Sequence, residues 1–262
     1  MILYPDECIL NKPLIFDSHA HYTDEKFDGI REELLSKLPK NGVFVVITCG
    51  CDKNSSNEAI KLAKKYDYMY CAVGIHPENL DSGTSVDEIK KLSKYEKCVA
   101  IGEIGLDYYY NNENKQEQIK VFEEQIILAN ELNLPVIVHD RDAHVDTLEI
   151  LKKHKPKGVV HCFSGSSEMA KEIINIGMYI GVGGVVTFKN AKRLPEVVTI
   201  IPDDRLLIET DCPYLSPEPF RGKICHSGLI PLTAQKIAML RKTSIENILN
   251  LTNNNAKVLF DL

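Results

Sequence analysis

The stretch Leu14-Ile15-Phe16-Asp17-Ser18-His19-Ala20-His21 opens as an apolar, strand-forming run and closes on two histidines separated by one residue. The same form recurs along the chain. Strands are expected over Leu14–His19, Val43–Cys49, Met69–Ile75, Cys98–Glu103, Pro135–His139, Gly158–Cys162, Met178–Gly183 and Leu206–Thr210. Their starts lie about 20 to 37 residues apart, the length that a strand, a loop and a helix require. Runs such as Val43-Phe44-Val45-Val46-Ile47 are apolar throughout, as parallel strands buried on both faces must be.

The intervening stretches carry helical periodicity. Over Gln118–Leu132 the apolar residues Ile119, Phe122, Ile126, Ala129 and Leu132 form one stripe. Thr243-Ser244-Ile245-Glu246 reads as a capping box opening the last helix, with Thr243 as the cap and Glu246 reaching back. Eight β/α units can spread into an open doubly wound sheet or close into a barrel. The count favours a single (β/α)8 TIM barrel, as does a length of 262 residues against the roughly 250 typical of that fold. The expected organisation is one domain over residues 1–262, with Met1–Pro13 as a short leader.

With 44% hydrophobic and 26% charged residues the composition is that of a globular enzyme with one sizeable core. A net charge of −6 provides no global basic field for non-specific duplex binding. It leaves room for a phosphodiester in a metal-lined pocket, because bound cations supply positive charge locally. The eight cysteines include no CxxC pair, and several lie inside apolar runs, so they read as buried, reduced thiols. Cys49-Gly50-Cys51, a CxC at a strand end, is a weak metal signal by itself. With no signal-peptide pattern at the N-terminus and no run of roughly 20 apolar residues, a cytoplasmic protein without a membrane span is expected.

Nearly every strand run ends on a residue that ionises or binds metal. His19 and His21 share one face of the first strand, about 7 Å apart along it, and can converge on one ion. The other runs lead into His76, Glu103, His139, His161 and Asp211. Five of the eight histidines lie at these ends, whereas His144, His154 and His226 do not. One histidine after an apolar strand is more often a hydrogen-bonded core residue than a ligand. Several strands that all end on imidazoles or carboxylates are another matter, since such a polar ring is costly to bury unless ions or networks satisfy it. In a closed barrel all these ends ring one face, where barrel enzymes keep their active sites.

Six stretches then carry a resemblance over essentially the whole length: Phe16-Asp17-Ser18-His19-Ala20-His21, Ala72-Val73-Gly74-Ile75-His76-Pro77, Ile101-Gly102-Glu103-Ile104-Gly105-Leu106-Asp107-Tyr108, Pro135-Val136-Ile137-Val138-His139-Asp140-Arg141, His161-Cys162-Phe163-Ser164-Gly165 and Glu209-Thr210-Asp211-Cys212-Pro213. In this order and spacing the chain resembles the TatD-type metal-dependent hydrolases and deoxyribonucleases of the amidohydrolase superfamily. The resemblance implies a TIM barrel with two divalent ions, Zn, Mn or Mg. His19, His21 and Asp211 would hold the first, His139 and His161 the second, and Glu103 would bridge them. It also implies exonuclease-type hydrolysis of DNA, with Asp211 and Glu103 as catalytic groups and no obligate protein partner.

As candidate substrate contacts, Arg141 is placed to pair with a phosphate, Arg221 and Lys223 to meet a nucleotide backbone, and His76 to touch substrate or support a ligand. Where the family commonly continues after Arg221-Gly222-Lys223 with Arg/Lys-Asn-Asp/Glu, this chain reads Ile224-Cys225-His226. Two alternatives to a nuclease remain at this stage. One is hydrolysis of another ester or amide, such as a lactone, a phosphotriester or a misacylated tRNA. The other is a non-catalytic metal-binding protein.

Overall fold

The computed structural model describes residues 14–110 and 113–262, so the expected Met1–Pro13 leader and Cys8 lie outside the described residues. Among the described residues, eight parallel strands follow one another in chain order around a nearly closed barrel. They are β1 (Ile15–Ala20), β2 (Val43–Cys49), β3 (Met69–Val73), β4 (Cys98–Asp107), β5 (Val136–Arg141), β6 (Gly158–Val160), β7 (Tyr179–Val182) and β8 (Leu206–Ile208). The helices that return the chain between them are α1 (Arg31–Lys37), α2 (Lys53–Lys65), α3 (Val86–Leu92), α4 (Lys115–Leu132), α5 (His144–His154), α6 (Ser167–Asn175) and α7 (Arg193–Ile200). After β8 come α8 (Ile230–Arg241) and α9 (Ile245–Phe260). This is the (β/α)8 TIM barrel that the eightfold recurrence predicts.

The strand pattern sorts side chains by the pleat. Phe16, Val45, Ile47, Cys49, Ala72, Ala100, Ile137, Val159, Tyr179 and Leu207 form one apolar cluster drawn from all eight strands. That cluster is the barrel interior, and the end of α9 packs on it through Ala256, Leu259 and Phe260. Phe260 stacks on Phe16 with ring centroids 6.1 Å apart. Two residues beyond an interior position the next side chain points the same way. His139 follows Ile137, His161 follows Val159, and Glu209 follows Leu207. The apolar filling of the barrel thus gives way, one pleat later, to the polar site at its C-terminal mouth.

The β8–β1 seam is closed mainly by residues at and beyond the strand ends. An isolated bridge joins Ala20 to Cys212. Asp211 N–H donates to the His19 carbonyl (3.1 Å) and His21 N–H to the Cys212 carbonyl (2.7 Å). Below them the buried Asp17 carboxylate accepts from Thr210 N–H (3.0 Å), Thr210 Oγ1 (2.7 Å) and Ser227 Oγ (2.7 Å). Burial pushes the Asp17 carboxyl up to about 6 even though Ser227, Thr210 and His19 hydrogen bonds favour its charged form. The seam therefore carries three candidate ligands, His19, His21 and Asp211.

Several boundaries differ from expectation. β4 runs on to Asp107 because it stays paired with β5 as far as Asp107↔Arg141, so Glu103 lies inside a strand instead of at its end. The register shifts between Ile101 and Ile104, around Glu103. β6 and β8 end earlier than expected, at Val160 and Ile208. Just beyond them Cys162 and Asp211 adopt left-handed backbone (φ 42° and 57°), which a strand cannot continue. The α9 cap is Ser244, whose side chain accepts from Asn247 N–H. Thr243, expected as the cap, instead binds the Asn247 side chain. The described cysteines are all free; Cys51 and Cys162 are only partly buried and the rest are buried.

Candidate metal centre

The mouth of the barrel gathers imidazoles around one carboxylate. Glu103, on β4 and 3% exposed, directs its two oxygens to different neighbours. Oε2 lies 3.3 Å from His19 Nε2 and 3.1 Å from His21 Nε2. Oε1 lies 2.7 Å from His161 Nε2 and 3.1 Å from His139 Nδ1. Asp211 Oδ1 sits 3.4 Å from both His19 Nε2 and His21 Nε2, which are themselves 2.9 Å apart. The six residues expected as ligands are brought together.

These separations suit cations. Donor atoms roughly 2.0–2.2 Å from a shared divalent ion fall about 3 to 3.4 Å from one another, the spacing of His19 and His21 from Glu103 and from Asp211, with only the His19–His21 pair closer. His19, His21 and Asp211 form one group able to hold an ion, and His19, Glu103 and His161 another. A mixed imidazole and carboxylate set matches borderline divalent metals. Burial opposes charging His19 and His21, yet the groups around them raise both well above the ordinary histidine value: Cys49, Glu103 and Asp211 for His19, and Cys51, Asp211 and Glu103 for His21. His139 is raised to about 9, with burial outweighed by Asp107 and Glu103. Burial opposes ionisation of Glu103 and Asp211 too, but neighbouring histidines hold both below the usual carboxylate range.

His76 joins the cluster from the loop after β3. Its Nε2 is 3.4 Å from Glu103 Oε1, its Nδ1 accepts from Glu78 N–H, and its ring meets His139 at 4.6 Å. It faces Glu103, and burial lowers its pKa. Arg141, ending β5, lays its guanidinium over the exposed rings of Tyr109 (3.9 Å) and Tyr110 (4.6 Å). Arg221, exposed, sits 4.3 Å from the Phe188 ring. Cys225 and His226, the departure in the loop after β8, are buried; the exposed face of that loop is Arg221–Ile224. The unusual pair thus belongs to the packing beneath the rim.

Four residues absent from the expected site stand behind the imidazoles. Asp107 Oδ2 is 2.9 Å from His139 Nε2, and the fully buried Glu209 lies 3.5 Å from His161 Nδ1. Cys49 Sγ is 3.4 Å from His19 Nδ1, and Cys51 Sγ 3.8 Å from His21 Nδ1. Period two was the available signal for Glu209, two residues from Leu207 and from Asp211. Cys51, two residues beyond the interior Cys49 in a CxC, carries the same weak mark, whereas Asp107 carries none.

The sequence pattern of the family described as TatD related DNase matches residues 16–261. The chain belongs to that family. It is 44% identical to the metal-dependent hydrolase YabD of Bacillus subtilis over 252 residues, covering 94% of this chain and 99% of YabD. It is 32% identical to the 3'-5' ssDNA/RNA exonuclease TatD of Salmonella typhimurium, covering 95% and 99% of the two chains. The crystal structure of YJJV, a TatD homolog from Escherichia coli, superposes with a TM-score of 0.89 at 30% identity, covering 95% and 99%. The protein is a metal-dependent hydrolase of the TatD DNase family. Among its described residues no helix is long and apolar enough to cross a membrane.

Proposed function

We propose that this TatD-family hydrolase cleaves phosphodiester bonds at the ends of single-stranded nucleic acid, DNA foremost, with two divalent ions. The observation that carries the reading is the division of Glu103, one carboxylate oxygen toward each histidine pair. His19, His21 and Asp211 would hold one ion, His139 and His161 the other, and Glu103 both; zinc, manganese and magnesium are the candidates. Such a pair supplies Lewis acidity at the phosphoryl oxygen and acidifies the attacking water.

The chain's own groups supply the rest. Asp211, kept ionised beside His19 and His21, accepts the proton of the attacking water. Arg141 offers its planar fork to the scissile or adjacent phosphate, and Arg221 meets the backbone farther out. Cation–aromatic pairs ring the mouth: Arg141 with Tyr109 and Tyr110, Lys26 with Tyr214, Lys115 with Tyr108, and Arg221 with Phe188. The exposed rings of Tyr109, Tyr110 and Tyr214 beside cations suit unpaired bases, which stack, better than a closed duplex. The pairs also put positive charge at the mouth of a chain of net charge −6.

The test uses purified protein with Mg²⁺, Mn²⁺ or Zn²⁺ on end-labelled single-stranded DNA, beside a lactone and a phosphotriester. Progressive shortening that is lost in Glu103→Ala is expected. Turnover of the lactone or phosphotriester without DNA shortening would replace the nuclease reading, and cleavage that survives Glu103→Ala would sink it.

A further inference from the structure

The imidazoles of the centre are not backed alike. An imidazole that binds a metal through one nitrogen carries its proton on the other and needs an acceptor there. On one side stand carboxylates: Asp107 pairs with the far nitrogen of His139 (2.9 Å), and Glu209 lies behind His161 at 3.5 Å, in ion-pair range without a formed hydrogen bond. On the other stand sulfurs, Cys49 behind His19 (3.4 Å) and Cys51 behind His21 (3.8 Å). A carboxylate draws the ring proton and makes the metal-facing nitrogen a better donor. A cysteine sulfur accepts only weakly.

The Cys49-Gly50-Cys51 turn is also fixed to the centre it backs. Gly50 N–H donates to the Ala72 carbonyl (3.0 Å), and Glu103 N–H to the Gly50 carbonyl (2.9 Å). His76 N–H donates to the Cys51 carbonyl (2.9 Å), and Ser55 Oγ accepts from Cys51 N–H (2.8 Å). Both sulfurs are therefore set against their rings by the backbone that carries Glu103 and His76.

We propose that Cys49 and Cys51 are positioning residues for His19 and His21, and that their weak acceptance makes the ion on that side the more weakly held, exchangeable one of the pair. The inference rests on the two-ion reading above. An outer partner of a metal-binding histidine is worth about ten- to a hundredfold in metal affinity, so the asymmetry is large enough to measure.

The full-length protein is loaded with zinc, and ions per chain are counted by mass spectrometry along a chelator titration. Two steps are expected, the first from the His19–His21 side, and a substitution behind one histidine pair shifts that pair's step by about tenfold or more. Cys49→Asp/Cys51→Asp, which puts carboxylates behind His19 and His21, moves the first step toward the second. Asp107→Asn moves the second toward the first, which keeps the comparison available if the double variant does not fold. Cobalt(II) supplies a separate readout: a positioning thiol gives no sulfur-to-cobalt charge-transfer band. Ions that leave together, steps that neither variant moves, or such a band lost in Cys51→Ser would each overturn the proposal. A chain that takes up no ion would overturn the metal-centre reading along with it.

Discussion

Replacing Gly105 by alanine tests whether the β4–β5 contact sets the position of His139. Gly105 pairs with His139 across the two strands. A Cβ on Gly105 would lie 2.0 Å from the His139 carbonyl oxygen and 2.9 Å from its backbone nitrogen and carbon. Ordinary contact begins at 3.4 Å, so β4 and β5 must part by more than an ångström at the residue that faces Glu103. The backbone there has φ +144°, which alanine adopts only with strain. Strain of this kind costs about 1–3 kcal/mol, and overpacking a similar amount, so a total on the order of 4 kcal/mol is expected. For a domain of this size that lowers Tm by roughly 10 °C. Gly177→Ala is the control: its φ is +91°, but nothing lies within 4 Å of the new Cβ. It carries only the conformational share, about 1 kcal/mol. Thermal unfolding of both variants, with turnover measured well below either Tm, separates the two contributions. Turnover in Gly105→Ala falls about a hundredfold, the usual cost of a 1 Å misplacement. Equal Tm shifts in the two variants, or undiminished turnover in Gly105→Ala, would refute a role for the close approach in positioning His139.

Asp17→Ala removes the acceptor from Thr210 N–H, Thr210 Oγ1 and Ser227 Oγ at the seam, and urea unfolding should register a loss of about 3 kcal/mol or more. A change below about 1 kcal/mol would mean that the burial which raises this carboxyl already cancels its hydrogen bonds. His144, hydrogen-bonded to Asp140 at 2.7 Å, has its pKa raised by that carboxylate, with burial opposing. Its folded value exceeds its unfolded one, so the pair's contribution is fully present below about pH 6.5 and is lost as pH rises through the folded pKa. Ring-proton NMR should show the raised titration, and Asp140→Asn should return it to the ordinary range. Arg141→Ala should raise KM for single-stranded DNA about tenfold at low salt, with kcat changed far less. A fall in kcat alone would place Arg141 at the reacting phosphate in the transition state.

The linear sequence determined the barrel and the identity of its polar mouth. Runs like Val43–Ile47, apolar on both faces, are stable only as parallel strands covered by helices, and eight of them in alternation leave few architectures. The family motifs named His19, His21, Glu103, His139, His161 and Asp211, and the fold gathered them. What the sequence could not contain was distance. Glu103 serves both histidine pairs only because β4 continues past it and its two oxygens part toward β1 on one side and β5 and β6 on the other. Cys49 and Cys51 looked like ordinary strand-end thiols, and Glu209 like a bystander before Asp211. Their places behind His19, His21 and His161 come from strand order and register in the folded sheet, which bring side chains 30 to 48 residues apart in sequence side by side. Local patterning selects strands and helices because it acts through near neighbours. The group behind each imidazole is a contact between strands, and strand order and register in the folded sheet fix it.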